Sequence, residues 1–357
     1  MNAPIHDPAP RGEAAQPSAA QPGAAQLNAQ LKPLIGDLTE HRALVYWGDL
    51  LASMALFWGA FALSLAGAAG QGLRAAAFAV AVLALYRAAT FMHELAHLPQ
   101  SRLPGFRWAW NLLCGIPILL PSFLYYSHLN HHATKLYATV DDPEYLAFGP
   151  HPLKSWWTLL AGTVLSPLLL ALRFAVLAPL AWFVPPLRRW LDVHFSAVAI
   201  HPHFQDRTPQ RARRQKEQRI AEPLTALYLW LAVGACLAGL LPLQVVAAFV
   251  ACALCVLLIN AVRTRYAHRY AYDGESVSHS AQIEDSTTLD YGGWFALLAP
   301  VGLRFHALHH LFPHLPYHAL ATAHRRIVLS ALPAAETYRR TCRNHSKPSV
   351  LVLSDER

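Results

Sequence analysis

Charged residues are scarce in this chain. Only 14% of its 357 residues are Asp, Glu, Lys or Arg, while 54% are apolar; an ordinary soluble domain carries about 25% charge. That shortage, with several long apolar runs, argues for an integral membrane protein. Cysteine is sparse too. Cys114, Cys236, Cys252, Cys255 and Cys342 form neither a disulfide framework nor an iron–sulfur pattern. Cys252 and Cys255 make a Cys-x-x-Cys inside an apolar run without a redox fold around it, and read as packing residues. There is no glycine fingerprint for a flavin or nicotinamide and no fused haem domain. The first 30 residues lack the apolar stretch of a secretory signal, which leaves targeting to the membrane spans. No run of interleaved basic and aromatic residues suggests a nucleic-acid surface. The net charge of +8 is therefore assigned to loops held in the cytoplasm.

What the chain does have falls into an order. Residues 1 to about 40, rich in Ala, Gln and Pro, read as a disordered leader. A first span runs from about Ala43 to Ala66, and a second returns from about Leu73 to His93. A second hairpin follows, from about Leu224 to Leu240 and from Leu243 to Val262. Each approaches the roughly 20 residues that a bilayer requires. The turns of both hairpins lack Lys and Arg, whereas Arg188, Arg189, Arg207, Arg211, Arg213, Arg214, Lys216 and Arg219 crowd one connecting stretch. The positive-inside rule puts that stretch in the cytoplasm; docking of an acidic partner is the other reading. The segment from Trp156 to Phe183 is apolar enough to span but contains Arg173, Pro167 and Pro179. A single crossing there would separate later histidines from earlier ones, so a re-entrant or interfacial helix is expected. The runs Leu112 to Tyr126 and Trp294 to Gly302 are read the same way. The expectation is an all-α membrane protein of about four transmembrane helices in two hairpins. Interfacial helices and a cytoplasmic helical cap complete it, with a membrane domain over 41–331 and a cytoplasmic tail over 332–357.

Eight histidines stand in three tight groups: His93 and His97; His128, His131 and His132; His306, His309 and His310. Residues three and four apart share a helix face, so each group can aim imidazoles at one point. Imidazole suits iron, zinc and copper alike. Alone, His93-Glu94-Leu95-Ala96-His97 also fits a zinc peptidase, with the glutamate as general base. That reading leaves the other two groups without a task. A metal transporter should carry ionisable residues through its spans, which are nearly free of them apart from Asp49 and Asn260 near their ends. Scattered histidines such as His41, His151, His194, His201, His203, His279 and His345 read as surface or hydrogen-bonded residues.

The order and spacing of the three groups resemble the membrane fatty acid desaturases, an integral-membrane di-iron family that includes hydroxylases. Asp141-Asp142-Pro143-Glu144 resembles the acidic-proline stretch after the second histidine box. The run Pro300 to Pro313, with Pro316-Tyr317-His318 and Ala323-His324-Arg325-Arg326, resembles the third-box region of bacterial members. The resemblance covers about residues 41–331. It implies a ninth ligand, His268, just after the last span, and puts Thr264 where some relatives place an asparagine near a metal-bound water. It implies two iron ions, dioxygen as co-substrate, and carboxylates orienting imidazoles through their second nitrogen; Glu94, Asp141, Asp142, Glu144 and Asp285 are the candidates.

The implied activity is an oxygen-dependent acyl desaturase of the bacterial inner membrane, with its site on the cytoplasmic face. The alternative is a lipid or carotenoid hydroxylase or ketolase on the same scaffold. The substrate would be a fatty acyl lipid, acyl-coenzyme A or acyl-carrier. The absence of any redox module in the chain points to a separate ferredoxin- or cytochrome-type donor, with membrane lipid around the spans and no nucleic acid as partner.

Overall fold

A computed structural model describes residues 24–99, 101–207 and 211–343. Helices dominate it. In chain order they are α1 (Ala24–Leu31), α2 (Ala43–Leu65), α3 (Gln71–His97), α4 (Phe106–Trp110), α5 (His128–His132), α6 (Pro152–Leu172) and α7 (Ala178–Phe183). The rest are α8 (Pro185–His194), α9 (Arg211–Leu237), α10 (Leu243–Ala267), α11 (His279–Asp285), α12 (His306–Leu311), α13 (Leu320–Val328) and α14 (Pro333–Arg339). Among the described residues the one sheet is a two-residue parallel pairing of β1 (Thr288–Leu289) with β2 (Cys342–Arg343).

Among the described residues, five helical stretches are long and apolar enough to cross a membrane: Ala43–Leu65, Gln71–His97, Pro152–Phe183, Arg214–Leu237 and Leu243–Ala267. In α2 the stripe Tyr46, Leu50, Met54, Phe57 and Phe61 is buried against Ala81, Leu85, Ala88 and Phe91 of α3. The opposite face, with Leu44, Leu51, Leu56 and Trp58, is exposed and equally apolar. A helix greasy on all sides is what a lipid surround demands.

The third stretch, Pro152–Phe183, is the one that the sequence left ambiguous. It runs without a break through a π-helical turn at Arg173–Leu177. Pro179 has no N–H to give the Ala175 carbonyl, and the Trp230 indole donates to that carbonyl instead at 3.1 Å. The segment starts beside the chain that leaves α10, where the Gly149 amide donates to the Tyr270 carbonyl at 2.9 Å. Near its far end Trp182 donates to Glu222 in the first half of α9, at 3.4 Å. Because α9 and α10 form a hairpin, both contacts lie at the same end of that pair. These contacts are compatible with the interfacial course expected from the sequence, while in length and composition the segment is equally able to cross. The runs near Leu112 and Trp294 form only short turns, Asn111–Gly115, Ser122–Tyr125 and Gly293–Leu297.

Two boundaries differ from expectation. Residues 24–38, read as leader, form α1 and two 3-10 turns, and bury Leu27, Leu31 and Ile35 against Leu308, Ile327 and Tyr338. Four-residue spacing gives those three residues one face. Residues 1–23 lie outside the described set. The tail read from 332 onward is part of the fold as far as Arg343, through α14 and β2; residues 344–357 lie outside the described set. The basic stretch also differs in part. Arg214 pairs with Asp206, and Arg188 with Asp192 and Glu222, whereas Arg189, Arg207, Lys216 and Arg219 stay exposed. The side chains of Arg211 and Arg213 lie outside the described set.

Candidate metal centre

Four separate pieces of chain deliver the histidines. The last turn of α3 presents His93 and His97, and α5 presents His128, His131 and His132. His268 closes α10, and α12 carries His306, His309 and His310. A left-handed pair, Val301 and Gly302, turns the chain just before α12. Gly302 is left-handed at φ 73°, and a Cβ there would stand 3.3 Å from Tyr317 Cα, so glycine suits this approach best.

The structure brings all nine predicted histidines together, in two groups. His93, His97, His128, His132 and His309 form one; His131, His268, His306 and His310 form the other. In each group the candidate donor atoms lie within 4.8 Å of one another. The groups adjoin: the His132 and His310 rings stack at 4.3 Å, tilted by 22°. The second group is held by polar neighbours. His131 Nδ1 lies 2.9 Å from Asp142 Oδ2, and His268 Nδ1 lies 2.9 Å from the Tyr137 hydroxyl, which donates to Asp285 at 2.6 Å. Gln282 Nε2 stands 3.4 Å from His310 Nδ1. In the first group, His128 Nδ1 meets Glu144 at 2.7 Å, and the Tyr125 ring stacks on its imidazole at 4.8 Å.

These contacts fix tautomers. A carboxylate cannot donate, so His131 and His128 carry their proton on Nδ1, and Nε2 presents a lone pair. Tyr137, having spent its proton on Asp285, imposes the same choice on His268. Yet His268 Nε2 lies 2.9 Å from His131 Nε2 and 2.7 Å from His306 Nε2. With the lone pairs of His131 and His268 turned toward each other, a cation between them would satisfy both. Both ring nitrogens of His93 are buried without a hydrogen-bond partner, as are Nδ1 of His132, His306 and His309. Burial, reinforced by neighbouring imidazoles, pushes His132, His268, His306, His309 and His310 well below the usual histidine range. They are therefore neutral and competent as ligands. At His131 burial acts the same way but Asp142 outweighs it and raises the value. At Glu144 burial opposes ionisation, yet the facing His128 wins and holds the carboxyl down to about 2. The residues fit two metal ions.

Three candidate carboxylates thus reach imidazoles: Asp142 and Glu144 directly, Asp285 through Tyr137. The others do not. Glu94 accepts from the Tyr46 hydroxyl at 2.5 Å and from the Tyr317 amide at 3.3 Å, which ties α3 to α2 and to the chain before α13. It is committed there, and the general-base role of a zinc peptidase loses its residue. Asp141 is exposed, and its carbonyl only receives Asn130. Thr264 accepts from Arg263 at 2.9 Å and hydrogen-bonds to no imidazole among the described residues. Sequence reasoning missed Tyr137, Gln282 and Tyr125, single polar residues without a spacing signal.

Beside His93 lies a narrow cavity of about 100 Å³, lined by Tyr86, Met92, Ile118, Tyr125, Val256 and Leu257 among others. It opens against the first group at His93.

Fold and site together define an all-α membrane protein with a paired histidine centre able to hold metal. The chain belongs to the fatty acid desaturase family, whose model matches residues 72–342. It is an oxidoreductase of the desaturase and hydroxylase superfamily. A ceramide hydroxylase of Caulobacter vibrioides is 39% identical over 321 residues, covering 88% of this chain and 89% of that protein. No solved structure matches.

Proposed function

We propose that this protein is a membrane lipid hydroxylase that acts on an acyl chain of a ceramide-like lipid. The observation that carries this reading is the 39% identity to a ceramide hydroxylase across nearly the whole of both chains. Sequence analysis put an acyl desaturase first and a lipid hydroxylase second; that relative favours the reverse order. The family itself contains both chemistries.

Nine imidazoles would hold an iron pair, which when bound supplies the oxidising power to take hydrogen from an unactivated carbon. The chain's own residues do the rest. Asp142, Glu144 and the Tyr137–Asp285 relay fix the imidazole tautomers. The cavity beside His93 holds a methylene against the site and keeps water away. In balance, dioxygen, two electrons and two protons convert C–H to C–OH with release of one water. Desaturation consumes the same inputs, removes two hydrogens and releases two waters. The electrons come from a separate ferredoxin- or cytochrome-type carrier. Exposed Arg189, Arg207, Lys216 and Arg219 on one connecting region suit an acidic carrier. The positive-inside bias puts this face in the cytoplasm of a bacterial inner membrane.

Expression in a host that makes ceramides but cannot hydroxylate them, followed by lipid mass spectrometry, tests the reading. Ceramide with one added oxygen is expected. An acyl chain that has lost two hydrogens, with no oxygenated product, would restore the desaturase reading.

A further inference from the structure

We propose that a second cavity, between α6 and α10, holds the polar linkage of the lipid substrate, and that Asn260 positions it. The cavity measures about 440 Å³ and is lined by Thr158, Gly162, Thr163 and Ser166 of α6 and by Asn260 and Thr264 of α10. It shares Leu120, Val198, Leu257 and Asn260 with the cavity beside His93, so the two adjoin and Asn260 stands in the wall between them. Leu169, at its edge, is 40% exposed, and Leu165 and Leu168 on the same helix are exposed too, which opens the cavity sideways toward lipid.

The polar lining is matched to a neutral ligand with both donors and acceptors. Asn260 Oδ1 accepts from Arg263 at 3.1 Å, while its amide nitrogen makes no hydrogen bond among the described residues. Thr158, Thr163 and Ser166 each donate to a carbonyl of their own helix, at 2.9, 2.7 and 2.7 Å, which leaves their oxygens free to accept. Pro167 deprives the Thr163 carbonyl of its usual amide partner. Arg173 also lines the cavity. It is fully buried, paired with Glu222 at 2.8 Å, and its Nη1 has no partner. With the Arg173 charge compensated by Glu222, the cavity's own lining favours a neutral ligand; Arg263, beside Asn260, is occupied with the Asn260 and Thr264 oxygens. An amide flanked by hydroxyls meets every one of these groups. This assignment rests on the ceramide-like substrate proposed above, and it makes the α6–α10 cavity the element that selects such a lipid.

Photolabelling separates binding from turnover. Full-length protein in nanodiscs would be exposed to ceramide, free fatty acid and phosphatidylethanolamine, each with a diazirine on the acyl chain. The ceramide probe should label the segments around His93 and Val256 saturably, and the other two weakly. Asn260→Leu should weaken ceramide labelling about tenfold, the scale of one lost hydrogen bond, with metal content unchanged. Gly162→Phe fills open space, since nothing lies within 4 Å of a Cβ there, and should abolish labelling. Equal labelling by all three probes, or both variants within twofold of wild type, would overturn the assignment and leave a lipid-filled gap. Saturable ceramide labelling, with no hydroxylated ceramide in the expressing host, would instead overturn the proposed function and leave the site standing.

Discussion

The two histidine groups are built from the same side chain but braced differently. In the second group, His131, His268 and His310 each have a polar neighbour at Nδ1, namely Asp142, Tyr137 and Gln282. In the first group, among the described residues, His93, His132 and His309 have no partner at Nδ1. The bracing carboxylates of the second group also clamp strained backbone. Asp142 accepts from the amide of Ala138 at 3.0 Å, and Asp285 from that of Tyr270 at 3.3 Å, and both residues are left-handed at φ 64° and 58°. A non-glycine residue in that region costs about 1 kcal/mol or more, so these carboxylates stabilise turns as well as tautomers. The first group faces the apolar cavity through His93. The second group is braced at His131, His268 and His310. The first, braced at His128 by Glu144, borders the place where a chain would react and leaves His93, His132 and His309 unbraced at Nδ1 among the described residues.

The largest effect should come from removing one ligand on each side. His131→Ala and His93→Ala should each abolish turnover and lower metal content. Only His131→Ala takes a hydrogen-bond partner from a buried acid, Asp142, which keeps the amides of Ala138 and Glu144, so it should also cost stability, about 1–3 kcal/mol in the metal-free protein. The His93 ring has no hydrogen-bond partner among the described residues, and its loss should cost the metal-free protein less stability than the loss of His131. Thermal unfolding after chelation, with metal analysis, measures both. Equal destabilisation by the two variants would erase the contrast between the groups.

How much of this was legible beforehand follows from geometry. The eight box histidines announce themselves through three- and four-residue spacing, a local property. His268 has no such partner in sequence and was reached only through the family resemblance. Adjacent residues on a helix point about 100° apart. Glu94 therefore turns away from His93 toward Tyr46, although the His-Glu pattern makes it look chemical. The contrast between Asp141, exposed, and Asp142, fully buried on His131, is likewise set by a turn that sequence does not display. Tyr137 and Gln282 enter the site by long-range packing, which leaves no periodic trace. The Leu27, Leu31 and Ile35 stripe was readable, but the surrounding Ala, Gln and Pro masked it.

A gentler substitution compares the braces themselves. Asp142→Asn and Glu144→Gln keep the shape but allow the amide to present an N–H, which no longer enforces the Nδ1 proton. Loss of such a partner typically weakens metal binding 10–100-fold. Asp142 should lie at the upper end, because it also accepts from the amides of Ala138 and Glu144, at 3.0 and 2.9 Å. Competition against a chelator of known affinity gives the two constants. A larger loss for Glu144→Gln would place the anchor in the first group instead.

The smallest effect tests the relay. Tyr137→Phe removes the hydroxyl that links His268 to Asp285, while Asp285 keeps the Tyr270 and Ala271 amides, at 3.3 and 3.0 Å. Asp285 already stands 3.7 Å from His268 Nδ1, so a small shift of the ring restores a direct contact. The loss should stay near the value of one hydrogen bond, about 1 kcal/mol, and metal affinity should fall less than tenfold. Asp285→Asn combined with Tyr137→Phe should cost more than the sum of the single changes, because the fallback contact disappears with the carboxylate. Strict additivity in that double-mutant cycle would mean that Tyr137 and Asp285 act on His268 independently, and the second group would have one brace fewer than its geometry indicates.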